Sequence, residues 1–369
     1  MLEFTTQSQG LLNALNKVVT VVAKKNTMHI LDTVRIQVFK GALKLTCTNL
    51  EEHITYKIYT DEENAEGEAV VEAHLLLKII KRFKKGEKVW GYVKDNELVI
   101  RKGDTKLSLP TFLDSDFPEP LKNEKTDTSW LEAEDLMKSI KRCNHAMADD
   151  DVRYYLNGML FEFEDRNLTL VATDGYRMAL DKVAMQDGVE DKQLIIPIAG
   201  VKLIQKVFAK DTVSLGVRVC ANHLTISSQF CTVSLKAVAG RFPNYRQVIQ
   251  SKNAAELAVN RLEILETVGD TLALSSDKYP NVHFEGGKHD LKIHNKPLKP
   301  KVEARHLYKQ GRGVETLQLS FNAVYLKDAL SVLARDEVFI EEGLGDNKIQ
   351  IQEGDFRVII KGKTPSKSK

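Results

Sequence analysis

Asn96-Glu-Leu-Val-Ile100 is answered by Asn222-His-Leu-Thr-Ile226 and again by Asn347-Lys-Ile-Gln-Ile351, at offsets of 126 and 125 residues. The same offset holds nearby. Lys106-Leu-Ser-Leu109 returns as Thr232-Val-Ser-Leu235 and loosely as Arg357-Val-Ile-Ile360, and Phe117-Pro118 returns as Phe242-Pro243. Upstream, Leu43-Lys-Leu-Thr-Cys-Thr-Asn49 matches Leu168-Thr-Leu-Val-Ala-Thr-Asp174, with Leu291-Lys-Ile-His294 a fainter third. Separate patches keeping one spacing mark a threefold internal duplication, and the period is far too long for a solenoid repeat. Three domains are expected, at 1–124, 125–252 and 253–369.

Within a copy the pattern is helix, strand pair, helix, strand pair. Leu11, Leu15, Val18 and Val22 keep helical spacing, with Leu12 and Val19 widening the apolar stripe. Strands are expected at Val34–Val38 and Leu43–Thr46 around a Lys40-Gly41 turn, and a second helix over about Ala73–Lys85. The fold class is therefore α+β: three tandem units, each with two helices covering antiparallel strands.

The chain has 53 basic and 51 acidic residues, so net charge alone does not indicate nucleic acid; segregation of the charges decides. Lys78, Lys81, Arg82 and Lys85 share one helical face, and Lys138, Lys141, Arg142 and His145 repeat that spacing in the next copy. Lys202, Lys206 and Lys210 add a third basic stretch. One such stripe is ordinarily a solvated face. Two at identical spacing, without interleaved aromatics, suit sequence-independent contact with phosphates. The third copy breaks the pattern, with Arg261 set among Glu263, Glu266 and Asp270, and Lys327 and Arg335 beside Asp328.

Enzymatic readings find little support. Glycine-rich phosphate loops, a nucleophile elbow and zinc-type spacings are absent from the sequence. Asp149-Asp150-Asp151 could evoke a metal-dependent nuclease, but consecutive side chains diverge, and an acidic loop after a helix is the expectation. His289, Asp290 and His294 do not share a strand face. Asp174-Gly175 reads as a turn. No catalytic residue, metal or cofactor is expected. Four cysteines (Cys47, Cys143, Cys220, Cys231) without a Cys-x-x-Cys pair read as reduced thiols; only Cys220 and Cys231 are candidates for a disulfide. With no secretory leader and no run of eighteen apolar residues, a cytoplasmic location without membrane contact is expected.

Arg153-Tyr-Tyr-Leu-Asn-Gly-Met-Leu-Phe-Glu162, Val171-Ala-Thr-Asp-Gly-Tyr-Arg-Met-Ala179 and Gly240-Arg-Phe-Pro-Asn-Tyr-Arg246 resemble the hallmark segments of bacterial sliding clamps, the beta subunit of DNA polymerase III. Ile30-Leu31, Thr48-Asn-Leu-Glu51 and Asp116-Phe-Pro118 agree in the first copy, and only traces appear in the third. The resemblance implies a non-enzymatic, head-to-tail homodimeric ring on duplex DNA. It also implies partners (DNA polymerase, clamp loader, mismatch-repair proteins, ligase) that insert a peptide of a Gln and apolar residues into a groove.

Carried over by position, that groove comprises Leu156, Thr173, Gly175, Tyr176, Arg177, Met178, Pro243 and Val248, with Val358 and Ile360 from the last strand. DNA-facing positions become Lys25, Tyr154 and Tyr155 beside Lys78, Lys81, Arg82, Lys85, Lys138, Lys141, Arg142, Lys202 and Lys206. The subunit junction would join Leu107 and Leu109 to Ala273 and Leu274. The chain departs from the family in Asp150, in Ile198 and Ala199, in Leu75 facing Lys296, Lys299 and Lys301, and in the basic ending Lys361-Gly-Lys-Thr-Pro-Ser-Lys-Ser-Lys369. These departures motivate a second reading: a monomeric or weakly dimeric partner-binding hub that does not stably encircle DNA.

Overall fold

The computed structural model describes residues 2–23, 28–60, 64–119, 121, 127–209, 213–249, 253–275, 280–295, 301–308, 310–343 and 347–362. One element order occurs three times. The first copy runs β1 (Glu3–Gln7), α1 (Ser8–Val18), β2 (Thr33–Phe39), β3 (Ala42–Thr48), β4 (Glu52–Tyr59), β5 (Gly67–Glu72), α2 (Ala73–Ile80), β6 (Lys88–Lys94), β7 (Glu97–Lys102) and β8 (Thr105–Pro110). The second repeats it as β9 (Ser129–Glu132), α3 (Ala133–Cys143), β10 (Gly158–Glu164), β11 (Asn167–Thr173), β12 (Arg177–Ala184), β13 (Lys192–Pro197), α4 (Ile198–Phe208), β14 (Ser214–Val219), β15 (His223–Ser227) and β16 (Cys231–Lys236). The third has β17 (Asn253–Asn260), α5 (Arg261–Leu274), β18 (Asn281–Gly286), β19 (Asp290–His294), β20 (Glu303–Leu307), an extra short β21 (Gln310–Arg312), β22 (Gln318–Asn322), α6 (Ala323–Ser331), β23 (Glu337–Gly343), β24 (Lys348–Glu353) and β25 (Phe356–Lys361).

The expected order of helix, strand pair, helix, strand pair was too sparse. A strand leads straight into each first helix, and four strands rather than two lie between the two helices in the first two copies. The repeated Asn-x-Leu/Ile-x-Ile signature opens β7, β15 and β24, the middle strands of the closing three-strand runs. Asp95 and Asn96 both have positive φ (50° and 61°), as does Asn347 (47°), the conformation that tight hairpins demand and that Asn and Asp tolerate. The Lys40-Gly41 turn forms as expected, with Gly41 at φ 72°.

All named strand pairs are antiparallel, and the sheets run through the repeats. One eight-stranded sheet has the order β5-β2-β3-β4-β16-β15-β14-β9, so its seam joins β4 of the first copy to β16 of the second. A nine-stranded sheet, β13-β10-β11-β12-β25-β24-β23-β17-β21, joins β12 of the second copy to β25 of the third. Compactness follows these sheets. Residues 1–134, 185–190 and 199–237 form one unit; 135–184, 191–198 and 238–369 form the other. The first unit also holds a four-stranded sheet β1-β6-β7-β8, and the second holds β20-β19-β18-β22.

The helices bury the residues their periodicity selects: Leu11, Ala14, Leu15 and Val18 on α1, and Ala73, Leu76, Leu77 and Ile80 on α2. Both end sooner than expected. After α1 a short 3-10 turn carries Val19 to Val21, and Val22 is still buried. At the end of α2 the ladder tightens from Lys81 N–H to Leu77 O into Arg82 N–H to Ile79 O and Phe83 N–H to Ile80 O, which tucks Phe83 inward. Lys81, Arg82 and Lys85 are exposed but no longer continue one helical line from Lys78. All four cysteines are buried thiols.

The second stripe is also revised. Lys138 and Lys141 are exposed, as are Lys202 and Lys206 on α4; Lys210 lies outside the described residues. Arg142, expected to face DNA, is 8% exposed and held by carboxylates of the second unit. His145 falls in a 3-10 turn after α3, with both ring nitrogens enclosed. Burial, helped by the charge of Arg177, lowers its pKa to about 4, with Asp328 and Asp174 opposing. His53 in the first unit is likewise lowered to about 4, by burial and then by His223.

An unfolded histidine titrates near ~6.5, so below that pH the unfolded chain takes up protons that the fold excludes. The stability from these neutral imidazoles is complete above about pH 6.5 and declines as pH falls toward 4. Melting temperatures measured between pH 7 and 4.5 should drop, and His53→Gln with His145→Gln should flatten the slope. An unaltered slope in the double variant would refute this assignment.

Candidate partner-binding groove

The hairpin between β11 and β12 builds one wall of a cavity of about 380 Å³ in the second unit. Gly175 turns it at φ 88°; a Cβ there would meet the Arg153 guanidinium at 3.1 Å. The Asp174 carboxylate accepts from Tyr176 N–H (2.9 Å), Arg177 N–H (2.9 Å) and Arg177 Nε (3.1 Å). Thr173 Oγ1 donates to Arg177 O at 2.7 Å and accepts from Gly175 N–H at 3.1 Å. Arg177 is further fixed by Asp328 at 2.7 Å and lies over the Tyr325 ring at 4.2 Å. The side chains of Thr173, Asp174 and Arg177 are thereby tied to the turn's own backbone and to one another.

The floor is apolar. Met178, Tyr245 and Ile359 belong to one buried cluster with Leu160, Val171, Leu180, Ile195 and Phe242, and Tyr155 packs against it. Beneath it the Glu162 carboxylate accepts from Tyr245 Oη, Gln193 Nε2 and both terminal nitrogens of Arg246 (3.0 and 2.9 Å). Burial alone would raise the Glu162 pKa, but these hydrogen bonds prevail and hold it below the usual carboxylate range.

Leu156, Thr173, Gly175, Tyr176, Arg177, Met178, Pro243 and Val248 all line this cavity. Val358 and Ile360 do not, a correction fixed by strand parity. Met178 pairs with Ile359, so Ile359 and then Lys361 face the cavity. Val358 and Ile360 share the opposite face with Phe356, over which the Arg142 guanidinium of α3 sits. Reading β12 and β25 as partners would have found this; the residues are some 180 positions apart, and the sequence alone does not pair them.

Tyr155, Tyr245, Arg153 and Lys348 complete the lining. Tyr155 was expected on DNA and belongs instead to the groove, whereas its edge-to-face neighbour Tyr154 is 58% exposed. Lys25 lies outside the described residues, as do Lys296 and Lys299. Of the expected junction residues, Leu109 is buried in its own unit and Leu107 is half-buried, while Ala273 and Leu274 are exposed at the end of α5. The aspartate run forms a turn: Asp150 has φ 56°, and Asp151 binds the Arg153 side chain, whose hydrogen bonds lower the Asp151 pKa to about 2.

The family models for the N-terminal and central domains of the DNA polymerase III beta subunit match residues 2–121 and 130–244. The beta sliding clamp of Pseudomonas putida is 30% identical over 339 residues, which is 91% of this chain and 92% of that protein. That of Escherichia coli K12 is 27% identical over a stretch of the same length. A crystal structure of the DNA polymerase III subunit beta from Pseudomonas aeruginosa superposes with a TM-score of 0.89 at 27% identity, covering 98% of this chain and 99% of that one. The Bacillus subtilis clamp shares the fold at TM-score 0.89 and 20% identity. Coverage of that extent includes the third copy, where sequence motifs are faint. The chain belongs to the bacterial beta sliding clamp family, the beta subunit of DNA polymerase III.

Proposed function

We propose that the chain is a DNA sliding clamp that encircles duplex DNA without reading its sequence and tethers polymerase and other groove-binding partners for processive replication. The observation carrying this is an open pair of sheet edges. Within the chain, the closing strand of one copy (β16, β25) pairs antiparallel with the third strand after the first helix of the preceding copy (β4, β12). The equivalents left over are β8 of the first copy and β20 of the third, each an edge strand among the described residues. An unsatisfied edge invites another strand, and a second copy would supply both missing seams head to tail. Contacts at these seams would involve β8 and β20, so Leu307, 76% exposed on β20, joins Leu107 as a junction candidate.

The exposed Lys78, Lys138, Lys141, Lys202 and Lys206 supply helix-borne cations for phosphates. Such contact is salt-sensitive and indifferent to base identity, which suits sliding. The repeats 1–124, 125–252 and 253–369 are proposed as the duplicated units. Among the described residues no helix is long and apolar enough to cross a membrane.

Protein loaded on nicked circular DNA is expected to stay bound at raised salt and to be lost once the circle is linearised. Retention on the linear form would mean ordinary affinity and end the encirclement reading. Light scattering should give a dimer, and Leu307→Asp should shift it toward monomer. A monomer at micromolar concentration that still binds partner peptide would favour the hub.

A further inference from the structure

We infer that one face of the eight-stranded sheet binds single-stranded DNA, stacking bases on Phe39, Tyr59 and Phe230 and holding phosphates at Lys44 and Lys57. This surface is separate from the helix-borne lysines proposed to face the duplex. Ile58 packs toward α1, where a Cβ on Gly10 would meet it at 3.8 Å, so its strand neighbours Lys57 and Tyr59 point to the other side of the sheet. The register sets Phe39, Ala42 and Tyr59 side by side there, with Lys44 directly opposite Lys57 in the adjoining row. The small Ala42 leaves the rings on either side of it open to solvent, Phe39 at 43% and Tyr59 at 55%. Phe230, in the turn between β15 and β16, is 41% exposed and meets the Tyr59 ring edge-on at 6.1 Å.

A single exposed aromatic residue is ordinary. Three neighbouring ones beside a lysine pair call for a ligand. Like charges directly opposite on a sheet destabilise it, and neither Lys44 nor Lys57 forms an ion pair with a described residue. An anion at this pair relieves the repulsion. The Lys57 ammonium stands 4.8 Å from the centroid of the Tyr59 ring, so a nucleotide resting against the ring has a cation within reach of its phosphate. From Phe39 to Tyr59 the row spans two strand spacings, about 10 Å, which suits successive bases of a strand better than one nucleotide. Stacking of this kind accepts any base, whereas a duplex hides its base faces and gains only the phosphate contacts.

The test uses the full chain and a fluorescein-labelled oligothymidine of about twelve nucleotides, with polarisation read across a salt series. Phe39→Leu with Tyr59→Leu keeps apolar bulk but removes the flat rings, and should weaken binding about tenfold. Lys44→Gln with Lys57→Gln should reduce the salt slope by about 1.4, the share of two phosphates on a single strand. Lys78→Gln with Lys138→Gln should leave the affinity within about twofold, because those lysines lie on helices. Absence of binding, an affinity unmoved by the ring variant, or equal competition by thymidine monophosphate overturns the inference. Loss of binding in the Lys78 and Lys138 variant alone would place the strand on the helices and overturn it too. Retention on nicked circular DNA should be the same for the ring variant and the parent chain, so failure of the platform and failure of encirclement read out separately. Melting curves check the fold, and the lysine variant supplies a second reading should the ring variant melt early.

Discussion

Arg142→Met should lower the folding stability of the second unit by about 3–5 kcal/mol, the range for removing one member of a buried ion pair. The guanidinium reaches Asp181 on β12 at 3.6 Å and Glu353 on β24, and it lies over the Phe356 ring at 5.1 Å. Glu353 also accepts from Ala334 N–H (3.0 Å) and Arg335 N–H (2.8 Å), and Ser139 Oγ donates to Asp181 at 2.9 Å. Met matches the stem and keeps contact with Phe356, so the loss reports charge rather than a cavity. What remains is two enclosed carboxylates without their cation.

The pH dependence separates this account from lost packing. Burial already raises the Asp181 pKa, against the hydrogen bonds from Ser139 and Lys182 N–H and the charge of Arg142. Without Arg142 it rises further. A carboxyl whose folded pKa exceeds its unfolded value contributes stability at low pH and loses it as pH climbs through the folded pKa. The deficit of Arg142→Met should therefore be greatest near neutrality and shrink toward pH 4.5, as read from urea unfolding midpoints. A deficit under about 1 kcal/mol at pH 7.5, or one independent of pH, would contradict the strut.

The same residue shows where sequence reading ran out. Helical spacing correctly put Lys138, Lys141 and Arg142 on neighbouring positions, but periodicity is blind to what another element offers at the edge of a stripe. Arg142 lies on the side nearer the buried Ser139 and Ala146, where Asp181 and Glu353 are waiting. Lys138 and Lys141, farther round, stay in solvent. The repeat was legible because hairpin chemistry is local: a turn-forming Asn followed by alternating apolar residues opens the equivalent strand in each copy, with positive φ at Asn96 and Asn347. The Asp174-Gly175 turn between β11 and β12 was legible for a related reason, with Gly175 at φ 88°, whereas the groove residues around it were placed only by the family resemblance. The wall on β25 depends on a pairing with a distant strand, where a shift of one residue exchanges Ile359 for Val358 or Ile360.

Val248→Asp should weaken groove binding of a Gln/Leu/Phe peptide about a hundredfold, roughly 2.8 kcal/mol, while leaving the melt and the oligomeric mass unchanged. Leu156 and Met178 are less informative positions, although they line the same cavity. At 1% and 3% exposed they belong to the unit's own interior, and a carboxylate there would endanger the fold before any peptide arrived. Val248 follows the short 3-10 turn of Tyr245–Gln247 and is 39% exposed, so an aspartate is solvated in the free protein. Its cost arises only when a partner's apolar side chain covers it, which is the desolvation penalty the measurement isolates.

Charge complicates this test where the peptide carries an acid of its own, because an aspartate at 248 would also repel it. Val248→Lys removes that ambiguity: it should weaken an acid-bearing peptide as well, since covering a lysine costs desolvation whatever the sign of its neighbours. If Val248→Lys bound that peptide as tightly as the parent chain while Val248→Asp did not, charge rather than apolar burial would drive recognition. The floor of Met178, Tyr245 and Ile359 would then not be the anchor site. If neither variant changed binding, the peptide would not pass over Val248, and the groove would have to be redrawn along the Tyr155 side.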